Sequence, residues 1–171
     1  LTKLYKKTPL INHSLKALQK SKVSKVIIVL GHEHKKVKKT IKKNKKNIFV
    51  NNKNFRKGMA SSIKVGLRKI TRNDKGFIIV QSDMPFIKTV DIDKIFNSIK
   101  LKKFLVYVLK FKNKIGNPIG FDISLIKKFK NIKGEFGAKF MVKRLKNRTK
   151  FIRTSTAKSF KDFDKASDFR V

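Results

Sequence analysis

The stretch GFIIVQSDMP, residues 76–85, decides how the chain is read. Its apolar run, Phe77, Ile78, Ile79 and Val80, follows the turn-forming Asn73, Asp74 and Gly76. Such a run reads as a strand buried on both faces, as in a parallel sheet. Asp83 then falls just past the strand's carboxyl end. In open α/β sheets ligands bind at that edge, and a carboxylate there can hold a hard cation against a nucleotide's phosphates. From position alone, an Asx turn ahead of Pro85 accounts for Asp83 equally well.

Upstream, residues 26–30 (VIIVL) form a second apolar strand ended by Gly31 and His32. A lysine-rich helix carries Val37 and Ile41 four apart, and residues 48–50 make a short strand. Strand, helix and strand at that spacing form a βαβ unit with parallel strands and a right-handed crossover. Thr8 and Pro9 read as an N-cap and a first helical residue, opening a helix striped by Ile11, Leu15 and Leu18 and closed by Ser21 and Lys22. Residues 58–70, GMASSIKVGLRKI, give another helix with Ile63, Leu67 and Ile70 on one face. Ser61, Ser62 and the amides of its first turn are free to meet an anion, although a plain capped surface helix has the same pattern.

Downstream, Ile92, Ile95, Phe96 and Ile99 stripe a helix, and residues 105–109 form a strand. Gly116 and Pro118 are expected to fix an irregular loop before Phe121 and a short helix. Gly134 to Ala138 precede a helix carrying Phe140, Met141 and Leu145. Asp162 and Asp164 lie two apart, so in an extended segment both face one side. Without internal repeats or an interdomain linker, residues 1–171 read as a single domain.

Composition narrows the function. Forty-six Lys and Arg against 10 Asp and Glu leave a formal charge of +36. Clustered cations suit nucleic acid, but lysine greatly outnumbers arginine, and Asn, Ile and Phe are abundant, as an AT-rich genome imposes on any protein. Specific readers of nucleic acid lean on arginine forks and exposed aromatics. The lysines are therefore read as solvated surface that attracts polyanions without sequence preference. Cysteine is absent, which excludes disulfides, thiolate metal sites and cysteine nucleophiles and fits a reduced, cytoplasmic setting. No apolar run approaches the roughly 18 residues of a membrane span, and the opening LTKLYKKTPL lacks a signal-peptide core, so a soluble protein is expected.

Acids are scarce enough for their positions to matter. Glu33, Asp91, Asp93 and Asp122 sit near helix starts, where the dipole favours them. Asp83, Asp162 and Asp164 have no such reason. His13, His32 and His34 lack metal-ligand spacing, and the chain contains no GxGxxG, P-loop or GxSxG motif.

The blocks TPLINHSLKAL, VSKVIIVLGHE, FRKGMASSIKVGL, GFIIVQSDMPFI, IGNPIGF, GEFGAK and DFDKASDF run from Thr8 to Phe169. In that order and spacing they resemble the MobA-like NTP transferase family, most closely its molybdenum cofactor cytidylyltransferase branch. The resemblance implies a Rossmann-like, three-layer α/β/α nucleotidyltransferase fold with a mostly parallel sheet. It also implies Mg2+-dependent transfer of CMP from CTP to the terminal phosphate of molybdopterin with release of pyrophosphate, the product passing to a molybdoenzyme or its chaperone. Carried over residue by residue, Asp83 matches the catalytic, metal-holding acid, with Asp162 or Asp164 completing the metal site. Gly58, Met59, Ser61, Ser62 and Ser82 match the nucleotide side, and Gly116, Asn117, Pro118 and Lys139 the pterin side. GMASSIKVGL favours the cytidylyl branch over a guanylyl one using GTP; a sugar-phosphate nucleotidyltransferase or a non-catalytic basic polyanion-binding domain are the rival readings.

The sequence also departs from the family pattern. The family opens with a strand, a loop of the form LAAGxSxRMG and a lysine, which together wrap the triphosphate. This chain starts after that signature and reads as N-terminally truncated, with the first strand missing and turnover by the chain as written expected to be poor. Asn117 stands where histidine is usual, Glu135 where aspartate is usual, and Lys139 where arginine is usual, offering a point charge in place of a planar fork.

At +36 the folded chain repels itself, and salt screens that repulsion. The melting temperature should therefore rise between low and moderate ionic strength; a flat or falling trend in a calorimetric salt series would contradict this.

Overall fold

The computed structural model describes residues 1–134 and 138–170. Its first element is a tight hairpin, β1 (Leu4–Tyr5) and β2 (Thr8–Pro9), in which Tyr5 pairs with Thr8 across Lys6 and Lys7, both at left-handed φ. Two successive left-handed residues make the narrow turn that brings strands back on themselves. Thr8 is thereby drawn into the ladder and does not cap the helix. Helix α1 (Leu10–Lys20) begins one residue later than its sequence suggests, with Pro9 at the N-cap and Ser21 at the C-cap.

Strand β3 (Val26–Leu30), helix α2 (His34–Thr40) and strand β4 (Asn47–Asn51) form the expected βαβ unit, with Val26 opposite Asn47 and Leu30 opposite Asn51 in a parallel ladder. Helix α3 (Met59–Leu67) leads to β5 (Gly76–Ile79), and helix α4 (Thr89–Lys100) to β6 (Val106–Phe111). Then come β7 (Lys114–Asp122), α5 (Ile126–Phe129), α6 (Ala138–Arg144) and β8 (Thr149–Arg153). The second sheet has the order β5-β7-β6-β8; β7 is antiparallel to both neighbours, and β8 is parallel to β6. A 2.6 Å ion pair joins Lys25, just before β3, to Asp74, just before β5, so these strands start side by side. All the strands of the two sheets except β7 thus run one way, which is the mostly parallel α/β architecture.

Helices cover both faces. On β3, Val26, Ile28 and Leu30 pack with Ile11 and Leu15 of α1, while Val29 on the opposite face touches Gly66 of α3. On β5, Phe77 joins a cluster with Ile63, Phe121 and Phe129, and Ile78 turns to the side of Ile95 and Ile99 on α4. This alternation yields three layers, helix, sheet and helix.

Two further readings from sequence need correcting. The segment around Gly116 and Pro118 is not an irregular loop but most of β7. The register shifts between Val108 and Leu109, so that Val108 faces Ile119 and Leu109 faces Gly116. Asn117 and Pro118 are thus extra residues in a bulge, where a proline's missing N–H breaks no ladder bond. Strand β5 is also less enclosed than its apolar run suggests: Phe77 is buried, but Ile78, Ile79 and Val80 are only half-buried. Among the described residues its one strand neighbour is β7, as β4 is the one neighbour of β3. Strand β8 leaves little mark in the sequence, since its five residues include a single buried apolar side chain, Ile152.

The tightest packing fixes α4 on the second sheet. A methyl group added at Gly120 of β7 would lie 2.3 Å from Cγ2 of Ile95 and 3.0 Å from Cδ1 of Ile99. Both isoleucines are buried, Ile95 in the middle of α4 and Ile99 in its last turn, and neither has room to move aside. Gly120→Ala should cost about 1–3 kcal/mol through overpacking, read in urea unfolding as a lower midpoint at unchanged slope.

Candidate active site

The interval between β3 and β5 is a cavity of about 770 Å3. It extends from the Lys25–Asp74 ion pair at the strands' start to His32 and Asp83 at their carboxyl ends, with Ile11 and Leu15 on one wall and Ile63 and Leu67 on the other. Met59, Ser62, Ser82 and Asp83 all line it. Four residues from two separate blocks of sequence thus face one space, while Gly58 and Ser61 border the same helix start.

The start of α3 is more committed than its sequence suggests. Gly58, at φ 87°, is its N-cap, a conformation that favours glycine. The Ala60 amide donates to Gly134 O at 3.0 Å and the Ser61 amide to Gly58 O at 3.1 Å. The Ser61 hydroxyl donates to Gly58 O and Asn54 O, and Nδ2 of the buried Asn52 donates to Ser61 Oγ at 2.8 Å and Ser62 Oγ at 3.0 Å. The expectation that Ser61 and its amide stand free for an anion is therefore wrong: local backbone acceptors have taken them. The sequence carries no sign of this role for Asn52, since one asparagine in a lysine- and asparagine-rich loop stands out in no pattern.

Asp83 lies in the turn just past β5, as expected. Its backbone carbonyl accepts from the Phe163 amide at 2.9 Å, which draws the tail against it. Phe163 is buried among Tyr5, Phe86 and Phe169, while Asp162 and Asp164 on either side of it are exposed. The inward phenyl ring thus leaves both tail carboxylates on the solvent side beside Asp83. Asp83 Oδ1 is buried and accepts no hydrogen bond. Burial lifts the Asp83 carboxyl above its ordinary pKa, and the fields of Asp162 and Asp164 push the same way.

An orphaned, buried carboxylate oxygen with two more acids in its field is a fitting donor set for a hard divalent cation. Among the described residues no three His, Asp or Glu side chains cage a metal by themselves. Any ion bound here would complete its shell with water or ligand oxygens, which is usual for Mg2+.

The remaining candidates spread around this centre. Ser82 accepts through its carbonyl from Ser14 Oγ at 3.3 Å, tying the turn to α1. Asn117 is buried; its Nδ2 donates to Gln81 Oε1, and its Oδ1 is the other buried oxygen without a partner. Gly116 lies under Phe160, and the Asn117–Pro118 bond is cis. Lys139 is exposed on α6 and does not line the cavity. Glu135 and its neighbours Phe136 and Gly137 lie outside the described residues.

The sequence matches the family model described as the MobA-like NTP transferase domain over residues 1–149. In fold the chain is similar to Rv0371c of Mycobacterium tuberculosis, at TM-score 0.84 and 16% identity, covering 99% of this chain and 85% of that one. A second structure of Rv0371c, in complex with manganese, aligns at TM-score 0.75 and 16% identity over 98% of this chain and 86% of that one. A nucleotidyl transferase from Methanothermobacter thermautotroptrophicus matches at TM-score 0.83 and 16% identity over 99% and 81%. The 4-diphosphocytidyl-2C-methyl-D-erythritol synthase of Anaerococcus prevotii matches at TM-score 0.78 and 14% identity over 98% and 85%.

The raised Asp83 carboxyl has a consequence for stability. As pH rises, the unfolded chain releases this proton before the folded one does. Stability present below the ordinary aspartate pKa is therefore lost as pH climbs through the raised value. Asp83→Asn should melt higher than the parent at neutral pH in metal-free buffer, with the gap closing once both carboxyls are protonated in acid; paired thermal melts across pH check this.

Proposed function

We propose that this chain, which belongs to the MobA-like NTP transferase family, carries the acidic centre of a CTP-using nucleotidyltransferase whose acceptor is molybdopterin. The observation that carries the reading is Asp83: a buried carboxylate oxygen without a partner, at the carboxyl end of β5, with Asp162 and Asp164 held beside it. Asp83 and one tail acid would hold a divalent cation, Mg2+ in this reading. When bound, the ion supplies charge neutralisation for the triphosphate. The manganese complex of Rv0371c supports a divalent ion, and the cytidyl-named relative supports a pyrimidine nucleotide.

The chemistry asks for positioning more than for a covalent nucleophile. A terminal phosphate oxygen of the acceptor forms a bond to the α-phosphorus of CTP, the bond from that phosphorus to the bridging oxygen breaks, and pyrophosphate leaves. On this reading the turn at Ser82 and Asp83 fixes the carboxylate, the start of α3 at Met59 and Ser62 borders the nucleotide, and the buried Asn117–Gln81 amide pair makes the floor on the acceptor side. Lys139 contributes at most a charge from outside.

To the interval between β3 and β5 we assign the strand that precedes the family's LAAGxSxRMG loop. Both bordering strands run the same way, and the walls are apolar on both faces, which suits a parallel strand with a continuous apolar run. The loop following it would meet the triphosphate beside Asp83.

The test supplies that segment. A strand and an LAAGxSxRMG-type loop fused ahead of Leu1 should give CTP-dependent pyrophosphate release with molybdopterin, and GTP should serve poorly. Asp83→Asn in the fused protein should lower the rate by at least about a hundredfold, as expected for losing a principal electrostatic contact to the transition state. Near-normal turnover without Asp83 would remove it from the site. Salt-sensitive binding of any polyanion with no turnover would favour the basic binding domain.

A further inference from the structure

The tail that brings Asp162 and Asp164 to Asp83 is held at a second point, inside the protein. Asp91 lies in the first turn of α4 and is 2% exposed. Its Oδ2 accepts from Thr154 Oγ1 at 3.0 Å and from Ser159 Oγ at 3.4 Å. Both donors belong to the segment that leaves β8 for the site, and both are buried. Lys94 Nζ donates to Arg153 O at 3.1 Å and Lys88 Nζ to Ser155 Oγ at 3.4 Å, so α4 and the residue before it grip this segment from its first residue.

A helix-start acid needs no burial to profit from the dipole. Taking a carboxylate out of water is costly unless donors replace the lost hydration, and here they come from one distant segment, more than 60 residues along the chain by the separations of 63 and 68. Asp91 also stands eight residues after Asp83 in the same segment, in which Met84, Pro85 and Ile87 are buried between them. Two acid-bearing segments, 83–91 and 154–164, are therefore joined twice: at Asp91 with Thr154 and Ser159, and at the Asp83 carbonyl with the Phe163 amide. Two fixed points set both the distance and the direction of the chain between them.

We propose that Asp91 is a positioning residue, which holds the tail so that Asp162 and Asp164 share a divalent cation with Asp83. The proposal rests on the metal reading above and adds to it a residue that touches neither metal nor substrate. Removing the latch should lower Mn2+ affinity by about ten- to a hundredfold, as outer-shell partners of metal ligands do. It should also uncouple the tail acids from the site.

The test is made on the full chain with Mn2+ alone as probe. Mn2+ affinity is measured by calorimetry, and amide exchange at Phe163 by NMR, for the parent, Asp91→Ala, Asp91→Asn and the Asp162→Asn/Asp164→Asn pair, alone and combined with Asp91→Ala. The expected result is loss of Phe163 protection in Asp91→Ala with β6 amides still protected, weaker Mn2+ binding, and no further loss when the tail acids are also changed. Asp91→Asn, whose amide oxygen still accepts from the hydroxyls, should retain most of both signals. If Asp91→Ala does not fold, Thr154→Val and Ser159→Ala replace it with the same expectations. Unchanged Mn2+ affinity and unchanged Phe163 protection in a folded latch variant overturn the proposal. If the parent binds no Mn2+, the metal reading falls and the cation role of Asp91 with it, whereas Phe163 protection still reports whether Asp91 positions the tail.

Discussion

Among the described residues strand β5 is paired along one edge only, and the candidate site depends on that asymmetry. On its paired side, β7 fixes the register, Phe77 to Phe121 and Ile79 to Ile119, and α4 presses on Gly120 of β7 without room for a methyl group. This side cannot yield. On its other side the strand faces the cavity shared with β3, with the Lys25–Asp74 ion pair spanning its base. The turn at Ser82 and Asp83 therefore meets the cavity from a rigid support. The Asp83 carboxylate is backed by the sheet and keeps one buried oxygen without a partner.

How the tail meets Asp83 preserves that oxygen. The bond from the Phe163 amide goes to the Asp83 carbonyl, so docking the tail consumes no lone pair of the carboxylate. Phe163 is anchored by its ring, in edge contacts with Tyr5, Phe86 and Phe169, and the adjacent acids are left outward by alternation. The hairpin β1–β2, which carries Tyr5, thus belongs to the same assembly as the tail. Aromatic burial does the holding, which leaves the acids to repel one another and Asp83 to remain harder to ionise than an ordinary aspartate. Such stored discomfort is common where a charged ligand is to be bound.

What could be read from sequence divides along physical lines. Continuous apolar runs such as Val26 to Leu30 and four-three spacing such as Ile92, Ile95 and Ile99 report burial on a local element, so β3, β5 and α4 were legible, as was the place of Asp83 just beyond a strand. Order and spacing of short blocks gave the family. Features set by distant partners were not legible. Pro118 sits in a strand because β6 opposite has a register shift, Ser61 is engaged because Asn52 reaches it, and Asp91 is buried because Thr154 and Ser159 arrive from the far end of the chain. Asp91 in particular looked like one more acid at a helix start. Its spacing of four from Ile95 puts it beside the buried stripe, but that alone names no partner, whereas Asp93 accepts from the Lys22 amide at the surface.

The charge of +36 bears on the site without building it. Among the described residues three ion pairs are formed, Lys25–Asp74, Lys36–Glu33 and Lys161–Asp168, so few of the cations are neutralised by a carboxylate. Lys3 stands 4.2 Å from the Phe169 ring centre and Lys158 4.6 Å from that of Phe86, both on the aromatic group that anchors the tail. At Asp83 itself, Asp162 and Asp164 oppose ionisation, and the Leu1 ammonium favours it. The long-range field draws in a polyanion, and the short-range field at Asp83 repels it unless a cation intervenes. On the proposed reading, a triphosphate approaching such a surface would be attracted from afar and opposed at the last step by the carboxylates. On the proposed reading a divalent ion would offset that repulsion, which would give three carboxylates in a chain with so few acids a reason to stand together.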